Sequence, residues 1–509
     1  MNSSSHSFRV LLIRPPYTRL RGIGQAPYFP LGIGSMAAVL NTLPGVTAEI
    51  YYADNPGPGD KPFVIDKEGV FATRSLAQQK YFEALDSDDH PVWAEVRSVI
   101  ARFQPDMVGL SVLTPEVGSA AKITGFIKSL HPGCRIVWGG VHPTFEPEAT
   151  LALPGVDFIV SGEGEVTIRE LVETLQSGGD PTSIPGVIGP GTSIDSACRR
   201  PLIQSLDSVP IPDRRAVVYP DRFSPVAMGS LMHSRGCPWR CGFCSSRRFW
   251  HERVRFRSAE NVMDEIRQVH RDYGIRIFTF WDDAFTIDRK LTEKLCEAIL
   301  QSGIKIAWRT ATRLDLLDDA MLKLMRKAGC VQMDLGIETG SPRMSELIRK
   351  DIDLDSAPET IDRANRHGIA TGVFLMAGFP DETRDDLLKT YDFMKRIRPA
   401  EIVLNILDPM PGSEQFERAL ELNLLEQPVN YLRFPLWPDA HFVKEIEPAE
   451  FNRMIEEISA YVFRYNSSRT ALIRRARPEI LQLLRTDRKV LFQKAVRFTR
   501  RRFTRGPRH

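Results

Sequence analysis

The sequence lacks the features that mark membrane-spanning and secreted proteins. No apolar run approaches the roughly 18 residues that a membrane-spanning helix needs, and the N-terminal segment has four consecutive apolar residues before Arg14. Only seven cysteines occur in 509 residues, and an odd number argues against a disulfide framework. We therefore expect a cytoplasmic chain of two or three domains whose thiols are free to bind metal.

The first part of the chain alternates short β-branched runs with amphipathic segments, which is typical of parallel α/β structure. Its five strand candidates begin at Arg9, Ala48, Met107, Arg135 and Asp157. They predict an open, doubly wound sheet of five parallel strands, with its ligand at the strands' carboxyl ends. We assign residues 1–180 to this domain, with residues 54–91 as an excursion from its core. The proline-dotted residues 181–225 are predicted to be a linker.

A second alternation of strand and helix patterns covers residues 226–425. It contains six strand candidates and helical patterns at 258–273, 288–302, 318–328, 355–367 and 382–396. Six β/α units predict a partial barrel of the TIM type, open on one side, whose chemistry lies at the carboxyl ends of the strands. Residues 426–509 are predicted to be a helical C-terminal extension.

Three of the seven cysteines lie within eight residues, in HSRGCPWRCGFCSS directly after the first barrel strand. Cys237, Cys241 and Cys244 have the spacing C-x3-C-x2-C, and three thiolates are an incomplete tetrahedral set. One alternative is a structural zinc site completed by His233 or His251, but the paired ligand clusters usual in such sites are missing. A four-iron, four-sulfur cluster normally takes four cysteines, so three would leave one iron open to an outside ligand.

With the aromatic Phe243 before its last cysteine, this loop resembles the radical SAM superfamily. The resemblance covers residues 226–425 and implies a [4Fe-4S] cluster whose open iron is chelated by S-adenosylmethionine (SAM). In that family, an electron from the cluster cleaves SAM to methionine and a 5′-deoxyadenosyl radical, which abstracts hydrogen from unactivated carbon.

The resemblance also implies SAM contacts from residues that end later barrel strands. FWDDAFT follows the second strand, GIETGS the fourth, and MAGFPDET ends the fifth with a turn expected near adenine. The implied contacts are Asp282 for the methionyl amine, Glu338 for a polar group of SAM, and Asn405 for adenine or ribose. The alternative for each carboxylate is a solvated strand end or a helix N-cap.

The first domain lacks the G-x-G-x-x-G turn of a dinucleotide-binding domain. Its predicted strands end instead in LSVLT, WGGVHPTFEPE and VDFIVSGEGE, which together resemble the cobalamin-binding domain fused to many radical SAM enzymes. The resemblance implies that glycine backbone approaches a corrin closely and that hydroxyls meet its nucleotide tail. The implied contact residues are Ser111, Thr114, Gly139, Gly140, His142, Gly162, Glu163 and Gly164.

The motif D-x-H-x-x-G, whose histidine binds cobalt in methionine synthase-like proteins, is also missing. His142 lies in the Gly-Gly loop and is expected to contact the tail or backbone rather than cobalt. The resemblance then implies cobalamin without a protein imidazole ligand, which favours release of a methyl group as a radical.

The two resemblances together imply a cobalamin-dependent radical SAM enzyme, with a [4Fe-4S] cluster, SAM and cobalamin as cofactors. The leading hypothesis is methyl transfer to an unactivated carbon, or to phosphorus, of a small-molecule or lipid-like substrate. A reductase, flavodoxin or ferredoxin would supply electrons. One alternative is an oxidative cyclase or rearrangement enzyme resembling the anaerobic porphyrin ester cyclases. Another is a non-catalytic corrin- or cluster-binding regulator, which the intact cysteine motif disfavours. Nothing resembles a nucleic-acid module.

The C-terminal tail is strongly basic, with fourteen Lys and Arg against two acidic residues from Ser467 to His509. From Pro478 onward, an apolar stripe at helical spacing includes Ile480, Leu484, Leu491, Ala495 and Phe498. A basic amphipathic helix of this kind can lie in an anionic membrane interface, which predicts peripheral contact with the inner membrane. The alternative is a tail that is solvated or packed on the rest of the chain, whose net charge is negative.

Overall fold

Two six-stranded sheets organise residues 7–23, 28–57, 70–192 and 200–486, the parts of the chain that the computed structural model describes. The strands are β1 (Phe8–Arg14), β2 (Val46–Tyr52), β3 (Met107–Ser111), β4 (Arg135–Gly139), β5 (Phe158–Val160), β6 (Val187–Ile188), β7 (Ser230–Leu231), β8 (Ser234–Arg235), β9 (Arg255–Phe256), β10 (Ile277–Phe280), β11 (Ala307–Thr312), β12 (Cys330–Glu338), β13 (Ala370–Ala377) and β14 (Glu401–Ile406).

Helices surround both sheets. They are α1 (Leu31–Leu40), α2 (Val70–Asp86), α3 (Pro91–Phe103), α4 (Val117–Leu130), α5 (Val141–Phe145), α6 (Pro147–Leu151), α7 (Glu165–Ser177), α8 (Pro225–Met228), α9 (Ser246–Phe249), α10 (Ala259–Tyr273), α11 (Arg289–Gln301), α12 (Asp319–Lys327), α13 (Pro342–Leu347), α14 (Ala357–Arg366), α15 (Arg384–Arg396), α16 (Glu414–Glu421), α17 (Pro448–Asn466) and α18 (Arg469–Thr486).

The first sheet has the strand order β2-β1-β3-β4-β5-β6. Its first five strands are parallel, as predicted, and nearly continuous apolar runs bury them between helices on both faces. The strand order reverses between β1 and β3, and this switch point is where doubly wound sheets bind their ligands. A sixth strand, β6, pairs antiparallel with β5 and was not predicted.

The described parts of the segment predicted to be a linker, residues 181–192 and 200–225, pack against both domains. The segment supplies β6, and its apolar side chains at Ile184 and Leu206 are buried. Arg214 is buried as well and donates to Glu265 of α10 at 2.6 Å. The prolines of this segment therefore shape a fixed connection between the domains rather than a spacer.

The second sheet is the predicted partial barrel, with six parallel strands in the order β14-β13-β12-β11-β10-β7. The five predicted helices appear as α10, α11, α12, α14 and α15, each with bounds close to its apolar pattern. Side chains cap their starts: Ser258, Asp288 and Asp318 each accept a backbone N–H from the first turn. We call the carboxyl ends of these strands the rim.

The C-terminal extension covers parts of the barrel that would otherwise be exposed. Asn466, the last residue of α17, donates to the Ile402 carbonyl at 2.7 Å and accepts from the Ile402 N–H at 2.9 Å. These two bonds satisfy free backbone groups on the edge strand β14. At the opposite end from the rim, Gln482 of α18 donates to the Ile306 carbonyl, which directly precedes β11.

The predicted amphipathic stripe of the tail is only partly within the described residues. Ile480 and Leu484 lie on α18 and are 41% and 46% exposed. Leu491, Ala495 and Phe498 lie outside the described residues, so the membrane prediction remains a prediction. Among the described helices, none has the length and apolar character needed to cross a membrane.

Candidate functional site

The cysteines lie on a loop, residues 236–254, that we call the cysteine loop. Its base is closed by the antiparallel pair β8 and β9, in which Arg235 faces Arg255. Gly236 begins the loop with φ of +100°, and a Cβ there would lie 2.0 Å from the Arg253 carbonyl oxygen. Only glycine fits this turn, which delivers the chain directly to Cys237.

Backbone hydrogen bonds fix the cysteine loop on the rim. The Gly242 N–H donates to the Ile348 carbonyl at 2.9 Å, and the Gly242 carbonyl accepts from Glu414 N at 2.9 Å. Phe243 packs edge-on against Phe379, with ring centroids 6.3 Å apart. The loop is thereby held to α13, α16 and the turn after β13.

The three thiols of the cysteine loop are free and reachable from solvent. Cys237 and Cys241 are half-buried and Cys244 is exposed. Burial raises the pKa of the half-buried Cys237 to about 12, so without metal this thiol is neutral. Within the described ranges, no three His, Cys, Asp or Glu side chains converge as they would around a single metal ion. A [4Fe-4S] cluster does not require this, because each cysteine binds a different iron.

His233, one of the two candidate fourth ligands for zinc, lies buried among aromatic rings. It is 1% exposed, and its ring lies 5.4 Å from that of Phe256 and 5.7 Å from that of Phe285. Burial, helped by Arg257, lowers its pKa to about 4, so the imidazole is neutral within an aromatic cluster. This placement argues against His233 as a zinc ligand.

Asp282 lies beneath the cysteine loop. It is 4% exposed and accepts from the backbone N–H groups of His233 and Ser234 and from the Ser234 hydroxyl, at 2.5 to 3.2 Å. Burial raises its pKa to about 6. Both of its oxygens are occupied by the chain, so it anchors the start of the loop.

The residue after it, Asp283, was missed in the sequence analysis and is better placed for a ligand. It is exposed and accepts from the Ser246 hydroxyl at 2.9 Å, two residues beyond Cys244. The paired aspartates of FWDDAFT were the available signal, and the loop after β10 leaves Asp282 buried and Asp283 exposed.

Glu338 ends β12 in a strained conformation. Its φ is +70°, unusual for a non-glycine residue, and the register with β13 shifts between Gly336 and Glu338. The carboxylate accepts from Lys350 Nζ at 3.0 Å, and that ammonium lies 5.8 Å from the Phe243 ring centroid. The strand irregularity thus aims Glu338 at the cysteine loop, which is typical of functional sites.

Asn405 lies on the neighbouring strand end. It is half-buried, pairs in register with Met376 of β13, and is one residue from the end of β14. The adjoining turn at Gly378 is held by Glu382, which accepts the Gly378 N–H at 2.6 Å. Glu382 is fully buried, and burial raises its pKa to about 8. Sequence reasoning named the turn but missed this carboxyl.

A cleft-like cavity with about 1290 Å³ of empty space, part of it open to solvent, lies between the two domains, at the carboxyl ends of the first sheet. Its walls are largely apolar, with Leu12, Val137 and Ile168 on one side and Phe249 and Trp250 of the barrel domain on the other. Six of the eight residues predicted to contact cobalamin line it: Ser111, Gly139, Gly140, Gly162, Glu163 and Gly164.

Glycine is required at Gly140 of this cavity. Its φ is +99°, and a Cβ there would lie 3.1 Å from both the N and O atoms of Val112. The missing side chains at Gly139 and Gly164 leave backbone exposed to the cavity. A large, mostly apolar ligand that needs close backbone approach fits these walls.

Thr114 and His142, the other two predicted contacts, are not among the residues that line the cavity. They are buried next to each other, with the Thr114 hydroxyl 3.2 Å from His142 Nδ1. Burial lowers the pKa of His142 to about 3, and its ring packs edge-on against Tyr431 at 4.8 Å. His142 is therefore a neutral core residue.

Ion pairs connect the cavity to the cysteine loop. Glu163 accepts from Arg235 and from Arg255, each at 2.7 Å, and Glu165 accepts from Arg235 at 2.5 Å. Although burial opposes it, the two guanidiniums lower the pKa of Glu163 below its usual value. Because Arg235 precedes Cys237 by two residues, the GEGE turn of the first domain directly holds the base of the cysteine loop.

Comparison with known protein families matches residues 231–394 to the radical SAM superfamily and residues 69–172 to the B12 binding domain. An uncharacterized methyltransferase of Pyrococcus horikoshii is 33% identical over 365 residues, which cover 69% of this chain and 78% of that protein.

Two further relatives carry more specific names. The anaerobic magnesium-protoporphyrin IX monomethyl ester cyclase of Rubrivivax gelatinosus is 29% identical, with 64% of this chain and 60% of that protein covered. The cytidylyl-2-hydroxyethylphosphonate methyltransferase of Streptomyces wedmorensis is 26% identical, with 87% and 89% covered.

Among solved structures, the fold is similar to TsrM of Kitasatospora setae, a radical S-adenosylmethionine methyltransferase with cobalamin and a [4Fe-4S] cluster bound. The TM-score is 0.61 at 18% identity, with 88% of this chain and 82% of that chain covered. The cobalamin-dependent radical enzyme OxsB has a TM-score of 0.58 at 18% identity, with 90% and 62% covered. At these identities, the similarity establishes the shared architecture.

Proposed function

The chain belongs to the cobalamin-dependent radical SAM enzymes, and from this premise we propose that it methylates an unactivated carbon of a small-molecule substrate. The observation that carries the proposal is the junction itself. A glycine-lined cavity for a large ligand adjoins a rim that bears three free thiols, and Arg235 ties the two together. A methyl donor and a radical source bound in these two places would share one substrate.

The residues present fit the three cofactors of this family. Cys237, Cys241 and Cys244 would hold the cluster, and the glycine backbone of the cavity would meet cobalamin. For SAM we propose Glu338 and Asn405, with the exposed Asp283 in place of the buried Asp282. When bound, cluster and SAM supply a hydrogen-abstracting radical, and cobalamin supplies the transferable methyl group.

The protein's own side chains would position these groups. Within the described ranges, no histidine lines the cavity, which supports binding of cobalamin without a protein imidazole. The neutral state of His142 and its bond to Thr114 support the same interpretation. Lys350 pairs with Glu338 beside the cysteine loop, and the Glu338 carboxylate is therefore oriented before any ligand binds.

The test is anaerobic turnover with methyl-deuterated SAM. Each methylated product should carry the deuterated methyl and should accompany one S-adenosylhomocysteine, one 5′-deoxyadenosine and one methionine. An external donor such as flavodoxin supplies the two electrons that balance the two SAM molecules. Cys237→Ala, Cys241→Ala and Cys244→Ala should each lose the roughly four irons of the cluster, whereas the buried Cys296→Ala should keep them.

A second candidate function is oxidative cyclisation, because the ester cyclase of Rubrivivax gelatinosus is similar over 64% of this chain. Both functions use the same two sites. A product without deuterium, formed together with 5′-deoxyadenosine alone, would support cyclisation and contradict methyl transfer.

A further inference from the structure

Three segments meet beside the rim, and each follows a strand end or begins a helix. The loop after β1 contributes Tyr17 and Arg21, the start of α2 contributes Arg74, and the segment after β14 contributes Asp408. Leu407, next to Asp408, packs in the same apolar cluster as Phe243 of the cysteine loop. Through Leu407, this cluster of charged side chains therefore adjoins the cysteine loop.

The cluster has two guanidiniums and one carboxylate. Arg74 Nη1 lies 3.9 Å from Asp408 Oδ2, the outer limit of an ion pair, and Asp408 Oδ1 accepts from the Trp437 N–H at 2.7 Å. Arg21 makes no ion pair within the described part of the chain, and its Nε is buried without a hydrogen-bond partner there.

The other acidic groups nearby are already engaged. Glu116 is paired with Arg14, and Asp54 accepts from Tyr17 N, the Thr18 hydroxyl and Arg19 N. The positive charge of Arg21 and Arg74 is thus only partly balanced. A buried donor left without a partner is unfavourable, and a bound anion would supply the missing acceptor.

Aromatic rings hold both guanidiniums without consuming their N–H donors. The Arg21 guanidinium lies 5.0 Å from the Tyr17 ring centroid, and that of Arg74 lies 5.4 Å from the Trp437 centroid. Contacts of this type orient an arginine while leaving its fork of donors free.

Burial also makes Asp408 a weaker counter-charge for the two arginines. It raises the pKa of Asp408 to about 6 and lowers that of Arg74, which Arg21 also disfavours. With its side chain 32% exposed, Arg74 still reaches solvent. An entering ligand can reach it.

We propose that Arg21 and Arg74 bind an anionic group of the substrate, a carboxylate, phosphate or phosphonate. Paired guanidiniums form charge-assisted hydrogen bonds with such oxyanions. Anchored there, the rest of the substrate would extend toward the cysteine loop. The proposal rests on the proposed function, since it assigns one end of that enzyme's substrate.

The test is calorimetric titration of the full-length protein with inorganic phosphate, methylphosphonate and acetate, in the absence of turnover. We expect one site per chain, and the anion that binds most tightly distinguishes a phosphorus oxyanion from a carboxylate. Arg21→Gln and Arg74→Gln should each weaken binding at least tenfold. Arg384→Gln, an exposed arginine paired with Glu450, is the matched control and should bind normally.

Asp408→Asn separates the proposal from misfolding, because it removes the competing carboxylate and should strengthen binding about threefold or more. Absence of binding by all three anions, or equal binding by the wild type and both arginine variants, would overturn the proposal. Because no turnover is involved, failure here is distinct from failure to methylate. A protein that binds phosphate through Arg21 and Arg74 yet transfers no label would refute the proposed function alone.

Discussion

At Gly236, backbone geometry decides which amino acid can stand at the start of the cysteine loop. Gly236→Ala would push a methyl group against the Arg253 carbonyl, 2.0 Å away, at a φ of +100°. We expect a loss of about 1–3 kcal/mol in the free energy of unfolding and poor iron incorporation, because the loop base must shift. Thermal unfolding and iron analysis after anaerobic reconstitution measure both effects.

Gly274→Ala is the matched control for that substitution. Gly274 also has a positive φ, +67°, but a Cβ there meets nothing within 4 Å. Gly274→Ala should lower the free energy of unfolding by about 1 kcal/mol and leave the iron content unchanged. Full iron incorporation by Gly236→Ala would show that the loop does not depend on this turn.

His142 gives a prediction about pH. In the unfolded chain it binds a proton below about pH 6.5, whereas in the folded protein it stays neutral until about pH 3, so stability falls as pH drops between these values. Between pH 7 and 5 the wild type should lose about 2 kcal/mol more than His142→Gln, which cannot titrate. Urea unfolding of both proteins at the two pH values measures this, and parallel pH profiles would contradict it.

At this scale, the sequence identifies candidate residues where the spacing of a motif is specific for one kind of site. The three cysteines and the cavity glycines were identified from motifs, and the structure places the glycines on one cavity. Sequence reasoning chose Asp282 rather than Asp283, because both aspartates follow the end of β10, where no strand period shows which of them is buried. Glu382 and Arg235 were missed because a lone charged residue gives no signal until its partner is known.

At the scale of elements, periodicity predicts the long strands and helices well. The five parallel strands of the first sheet and the six barrel strands were all anticipated, because each combines an apolar run with a following amphipathic helix. Of the four two-residue strands, β7 was anticipated because it lies in a longer apolar run, whereas β6, β8 and β9 were not, since their short segments carry no period. These short strands are set by tertiary contacts of the connecting segments.

The contact between α17 and β14 supplies the prediction at this scale. Asn466→Ala removes both bonds to Ile402 and leaves its backbone groups unpaired on a partly buried edge. We expect a loss of about 1–3 kcal/mol and faster hydrogen exchange of the Ile402 amide. Gln79→Ala, which removes an exposed bond to Glu83, should change neither. Unchanged exchange at Ile402 would show that β14 does not need this cap.

At the scale of the whole molecule, the ligand-binding edges of the two sheets lie at one junction between the domains. Doubly wound sheets bind at their switch point and barrels at the carboxyl ends of their strands, so general rules predict each edge separately. They do not predict how the domains meet, because that depends on pairs such as Glu163 and Arg235, which lie 72 residues apart. The relative placement of cavity and cysteine loop is therefore information that only the folded structure supplies.

This junction predicts that the two domains respond together to cobalamin. In the wild type, adding hydroxocobalamin should raise the unfolding temperature of both domains in one calorimetric transition, because a ligand of the folded state stabilises whatever is coupled to it. Glu163→Gln removes the charge that Arg235 and Arg255 share, at a cost of about 3 kcal/mol for a broken buried pair. The barrel should then unfold separately, at a temperature that cobalamin no longer shifts. Glu170→Gln, which breaks the more exposed pair with Arg200, should keep the single transition. If cobalamin still shifted both transitions of Glu163→Gln equally, the coupling would have to pass through other contacts of the junction, such as the buried pair of Arg214 and Glu265.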